Sequence, residues 1–149
     1  MADFNNRIPF YMTNSYVDER GSDARIRERL LAMFSVGRDS GKTVAYELTD
    51  EDYFGLLRYD RLSCPTPWEC RKFDEEYLNK ATGSPAVHIR CTAQILSSKD
   101  ERVGCRASTL YRGFDLVFSI PRSQLSRWSE FDSGLRRQLD RFTQDAEQR

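Results

Sequence analysis

Four cysteines (Cys64, Cys70, Cys91 and Cys105), a single histidine (His88) and a large arginine complement are the residues of this chain whose types could do chemistry. No Cys-x-x-Cys pair occurs and His88 has no second histidine to join it, so the common zinc spacings are missing and no metal site is expected. A cysteine–histidine nucleophile pair needs an activating neighbourhood, and nothing around these residues resembles a nucleophile elbow or a protease signature. Cys91 and Cys105 fall at core-parity positions, where a thiol packs and stays inert. The start of the chain has an acid where a secretory signal carries basic charge, so four reduced thiols and a cytoplasmic protein are expected. Gly41-Lys42-Thr43 has the ending of a phosphate-binding loop. However, Gly37 and Gly41 enclose three residues where that loop has four, and the segment follows a helix and enters a strand. It reads as a turn. Asp74, Glu75 and Glu76 read as the solvated side of a helix and not as a general acid–base pair. The expectation is a chain with no catalytic residue, no cofactor and no small-molecule substrate.

Arginine is the positive signal. Basic and acidic residues balance at 23 each, so net charge selects no partner. Only Lys42, Lys72, Lys80 and Lys99 are lysine, and the remaining basic residues are arginine, whose planar fork of donors suits phosphate and carboxylate. Between His88 and Arg127, seven basic residues (Arg90, Lys99, Arg102, Arg106, Arg112, Arg122 and Arg127) stand against Asp100, Glu101 and Asp115. A neutral protein with a locally basic sheet can hold a polyanion through that patch alone. The plainer reading is a solvated face laced with salt bridges.

These side chains need elements to carry them. With 149 residues, 39% of them hydrophobic, the chain suits one domain with its own core. No apolar run approaches the roughly 18 residues of a membrane span. Residues 1–21 are polar and aperiodic and read as an arm, leaving 22–149 as a single domain. Ile26, Leu30, Met33 and Phe34 make a helical stripe. Val44, Tyr46 and Leu48 alternate, Asp50-Glu51-Asp52 marks a turn, and Tyr53 to Leu62 reads as the second strand of a hairpin. Thr66-Pro67-Trp68-Glu69 has the form of a capping box with proline at the first helical position, so a helix is expected to about Ala81. From His88 to Ile95 the period is two, with Ile89, Cys91, Ala93 and Ile95 inward and His88, Arg90, Thr92 and Gln94 outward. Two further strands meet at an Arg112-Gly113 turn. A terminal helix carries Trp128, Phe131, Leu135, Leu139 and Phe142 in one stripe, with Gly134 inside it. The sum is an α+β fold: a mostly antiparallel sheet, helices packed on one face, and a polar, arginine-bearing open face.

Two stretches resemble the tombusvirus nineteen-kilodalton suppressors of RNA silencing. One is Leu57-Arg58-Tyr59-Asp60-Arg61. The other is Gly104-Cys105, Ser108, Arg112-Gly113 and Ser119, which is similar to that family's strand-turn-strand segment in the same ungapped spacing. Together the stretches cover about a seventh of the chain. The resemblance implies a homodimer whose joined sheets cradle duplex RNA, recognised through phosphates and 2′-hydroxyls. That agrees with A-form geometry, which hides base edges in a deep, narrow groove. It further implies that Arg58 and Arg61 contact phosphate, that Arg102, Arg106, Ser108 and Ser119 line the duplex, and that Arg112 flanks it. Leu110 and Asp115 depart from the family pattern, which has polar or basic residues there. No tryptophan precedes Arg58, so poor discrimination of duplex length is expected. The expected activity is sequestration of small duplex RNAs, as in a viral suppressor of silencing. The alternative is a non-enzymatic adaptor or inhibitor that docks a partner through its terminal helix.

Overall fold

The computed structural model describes residues 10–13, 19–66, 68–80, 85–97, 99 and 104–147. Its elements are β1 (Phe10–Thr13), α1 (Glu19–Phe34), a 3-10 turn (Arg38–Ser40), β2 (Val44–Tyr53), β3 (Leu56–Ser63), β4 (Arg71–Asn79) and β5 (His88–Cys91). After these come α2 (Ala93–Ser97), β6 (Gly104–Tyr111), β7 (Phe114–Pro121), a second 3-10 stretch (Arg122–Arg127) and α3 (Trp128–Glu147). Seven strands join one sheet in the order β1-β7-β6-β5-β4-β3-β2, with every pairing antiparallel. The α+β class and the antiparallel sheet are as the sequence predicts. The segment read as an arm contributes β1, which pairs with β7.

Two hairpins set the sheet's shape. Tyr53 pairs with Leu56 and Tyr111 with Phe114, so each is closed by two residues. Phe54 and Gly55, like Arg112 and Gly113, all have positive φ. That is the turn geometry whose twist matches the flanking strands. The Arg112-Gly113 turn falls where expected. The other turn lies at Phe54-Gly55, beyond Asp50-Glu51-Asp52, which β2 absorbs with register shifts.

Three expectations are corrected. The stretch expected as a helix to Ala81 instead forms β4. In place of a helix start, Glu69 N donates to Thr66 O at 3.1 Å, an i to i+3 turn contact; Pro67 lies outside the described residues. The helical reading failed because Asp74, Glu75 and Glu76 looked solvated, whereas all three are buried and matched by cations of β3, β4 and β5. The cysteines are not reduced thiols. Cys64–Cys70 staples the stem of the β3–β4 loop, and Cys91–Cys105 joins β5 to β6 inside the core. Antiparallel neighbours bring such pairs within bonding range; the Cα separations are 4.1 and 4.5 Å. Finally, the helices do not share one face. Leu56 and Tyr77 belong to a cluster with Phe131, Leu135 and Leu139 of α3. Their strand neighbours Leu57 and Leu78 pack instead with Phe34 of α1. Successive strand residues point to opposite sides, so α1 and α3 cover opposite faces.

α3 runs unbroken through Gly134, which is buried. Arg136 ties it to β6 by donating to Leu110 O at 3.0 Å and Thr109 Oγ1 at 2.9 Å. Trp128 Nε1 donates to Phe54 O at 2.7 Å, fixing the helix start to the β2–β3 turn. The apolar stripe that an adaptor would use is therefore spent on the protein's own core; of its five residues only Phe142 is strongly exposed, at 66%. No helix among the described residues is long and apolar enough to cross a membrane.

Candidate functional site

On the face that carries α1, register lines up a polar row across the sheet. Tyr59 of β3 lies opposite Glu76 of β4, Glu76 opposite Arg90 of β5, Arg90 opposite Arg106 of β6, and Arg106 opposite Ser119 of β7. The next row holds Leu78, His88, Ser108, Val117 and Tyr11. α1 covers only the β2–β4 side: Phe34 stacks on Tyr59 with centroids 4.4 Å apart and reaches His88 at 6.0 Å. Beyond His88, no helix among the described residues packs on this side of β5, β6, β7 and β1. That half-face is the open, arginine-bearing surface.

The residues singled out by sequence divide over the molecule. Arg106, Ser108 and Ser119 meet on the open half-face. Arg61 shares their face, but it is bound to Asp74 at 3.3 Å and lies 4.7 Å over the Phe73 ring. Arg58 points to the α3 face and pairs with the buried Glu75. Two strand residues three apart must face opposite ways, so Arg58 and Arg61 could never share one surface. Arg112 stands at the β6–β7 turn, 3.6 Å from Asp140 of α3. Arg102 lies outside the described residues. The basic surplus of this segment is likewise dispersed: Arg122 reaches Glu75 at 3.6 Å and Arg127 reaches Glu130 at 2.6 Å.

Arg90 and Tyr11 are the residues the site gains. Arg90 stands on the polar side of a visibly alternating stretch, so its place was readable. Tyr11 lay in a segment without periodicity, and only its pairing with β7 brings it to the site. Arg90 donates through Nε to Glu76 Oε1 at 2.9 Å, and His88 Nε2 meets the same oxygen at 3.1 Å. Burial pushes the Glu76 carboxyl pKa upward, but these two partners outweigh it and hold the group below the ordinary carboxylate range. Glu75 on the other face behaves alike: burial opposes its charge, and Lys72, Arg58 and Arg122 prevail.

Arg106 differs from these paired cations. Among the described residues it meets no carboxylate; it donates to the Tyr11 hydroxyl and lies 5.7 Å from that ring. Like charges directly opposite on adjacent strands are unfavourable. Arg90 and Arg106 stand in that relation, and among the described residues only Arg90 has a carboxylate partner, so the surface favours an added anion. Beside Arg106 is an open cleft of about 350 Å³, reaching from Tyr11 and Val117 to Ser119. Gly104 keeps its floor low. A Cβ there would stand 1.9 Å from Ser119 Oγ.

The arrangement can bind an oxyanion through guanidinium and hydroxyl donors. It offers no nucleophile with a free base: the cysteines are in disulfides and His88 is engaged by Glu76. Among the described residues no group of Cys, His, Asp and Glu is placed to hold a metal ion. No family model matches the chain, and neither a curated protein nor a solved structure matches it.

Proposed function

We propose that this chain is a non-enzymatic binder of duplex RNA that rests the phosphate backbone on the half-face of β5, β6, β7 and β1. The observation that carries the reading is the Arg90–Arg106 opposition on a half-face that no helix among the described residues covers, with Ser108 and Ser119 hydroxyls alongside. Guanidinium forks suit phosphate, and a serine hydroxyl can donate to phosphate or accept from a ribose hydroxyl. Arg58 and Arg112 have no part in this surface, and Arg61 sits at its far end, tied to Asp74. The role is sequestration: a duplex held here is unavailable to other machinery, the activity that the suppressor resemblance implies. Both disulfides weigh against a reducing cytosol as the place where the protein acts.

The same reading carries a homodimer. Three interstrand spacings span roughly 14 Å, room for one backbone ridge but not for both strands of a duplex. The free edge of β1 supports a second copy there. Residues 10–13 have no charge, no proline and no bulge, and Phe10, Tyr11 and Met12 are all exposed. The opposite edge, β2, is blunted by register shifts and by Glu47, Asp50, Glu51 and Asp52, the devices that keep edge strands from pairing.

A gel-shift series tests the function. Duplex RNA binds, and added salt weakens binding steeply through counterion release. The substitution Arg106→Glu, which strands no buried carboxylate, abolishes binding while the circular dichroism spectrum is unchanged. Full RNA affinity in that variant removes the proposed surface.

A further inference from the structure

We propose that the cleft beside Arg106 binds a small organic carboxylate with an apolar body, a ligand distinct from any nucleic acid on the same face. The cleft is about 350 Å³, within the range of small-molecule sites, which are mostly apolar with a few placed polar groups. Tyr11 and Val117 supply carbon, while Arg106 and Ser119 supply donors. Arg106 is the only formal charge among the lining residues, and no carboxylate among the described residues engages it. One guanidinium in a carbon-rich cleft matches a monoanion better than a phosphate dianion, and a carboxylate fits its fork with two parallel hydrogen bonds. The Tyr11 hydroxyl accepts from Arg106, so its own hydrogen remains to donate to a ligand oxygen. Ser119 Oγ offers a further donor where Gly104 leaves room for it.

Phenylacetate is the probe, with 2-phenylethanol as its neutral counterpart and inorganic phosphate as an anion lacking the apolar body. Binding is followed by the chemical-shift changes of Tyr11 and Val117 in the full chain. Duplex RNA is absent, so the outcome is independent of the RNA reading. The expected result is saturable binding of phenylacetate at those two residues, at least about tenfold weaker binding of each control, and a similar loss in Arg106→Gln. Arg106→Lys recovers part of it, since the charge returns without the fork. The proposal is overturned if acid and alcohol bind alike, if phosphate binds as tightly, if Arg106→Gln is without effect, or if no shift appears up to the probe's solubility.

Discussion

Glu76 stays ionised at a fully buried position only because His88 and Arg90 converge on one of its oxygens. Breaking such a pair from one side costs more than the pair itself contributes, because a buried charge is left without its partner. Here the two partners keep partial exposure, 19% for His88 and 39% for Arg90, which lowers the penalty. Glu76→Gln is therefore expected to reduce unfolding free energy by about 3 kcal/mol, read from the urea midpoint at constant slope. A loss below about 0.5 kcal/mol would show that the pairing contributes nothing net. The pH dependence follows from Glu75 and Glu76 together. Both carboxyls are held below their ordinary value of 4.5 in the folded chain, so the unfolded chain takes up protons first as pH falls. Their stabilisation is fully present above about pH 4.5 and is lost as pH drops through the lower folded values. Urea midpoints should stay flat above that point and fall below it. In Glu76→Gln the acid-side decline should be visibly shallower.

β4 shows which part of the architecture could be read from residue order and which could not. The strand that starts at His88, the Arg112-Gly113 turn and the apolar stripe of α3 carry their periods openly and form where the pattern points. The alternation expected to continue to Ile95 nevertheless stops at Cys91, and Ala93–Ser97 is the short helix α2 instead. β4 is covered on both faces and hides its period, because its buried positions hold Asp74, Glu75, Glu76 and Asn79 among Tyr77 and Leu78. Each carboxylate is acceptable only with a cation from a neighbouring strand or its own, and that is tertiary information. The disulfides were illegible for the same reason: Cys91 and Cys105 had the right parity for the core, but only the β5–β6 pairing turns two buried thiols into a bond. The site is split likewise. Arg106, Ser108 and Ser119 share a surface because their strands pair in register, whereas the odd spacing of Arg58 and Arg61 forbade theirs from the start. Two element-scale outcomes follow. Removing Cys91–Cys105, whose residues lie 14 apart, by a double alanine substitution should cost about 3 kcal/mol by loop entropy, seen as a lower urea midpoint. Phe54→Asn should raise stability by roughly 0.5–1 kcal/mol. Phe54 is 61% exposed at positive φ, and Asn-Gly is the preferred pair for that turn. A lower midpoint would mean that the Phe54 ring packing against Tyr53 outweighs the backbone gain.

For the whole molecule, the proposed duplex reading and the proposed dimer can be separated because they rest on different edges of the same half-face. Among the described residues no strand pairs with the outer edge of β1, while the Arg90–Arg106 opposition lies two and three strands inward. A two-fold pairing of β1 with its counterpart would continue the sheet and set two such half-faces side by side, as a closed isologous contact requires. Met12→Lys places a charge on that edge without touching β5, β6 or Arg106. It should convert a dimer into a monomer in sedimentation equilibrium. Arg106→Gln should leave the sedimenting mass unchanged and act on the salt dependence of RNA affinity instead. Each phosphate contact contributes roughly one unit to the slope of log K against log salt, so losing Arg106 from both copies should flatten the slope by about two. In the Met12→Lys background the same substitution should flatten it by only about one, because a single copy then meets the duplex. Equal changes in both backgrounds would mean that the second protomer never touches RNA. An unchanged slope in either would mean that Arg106 does not contact phosphate, and the backbone would then have to lie elsewhere on the protein.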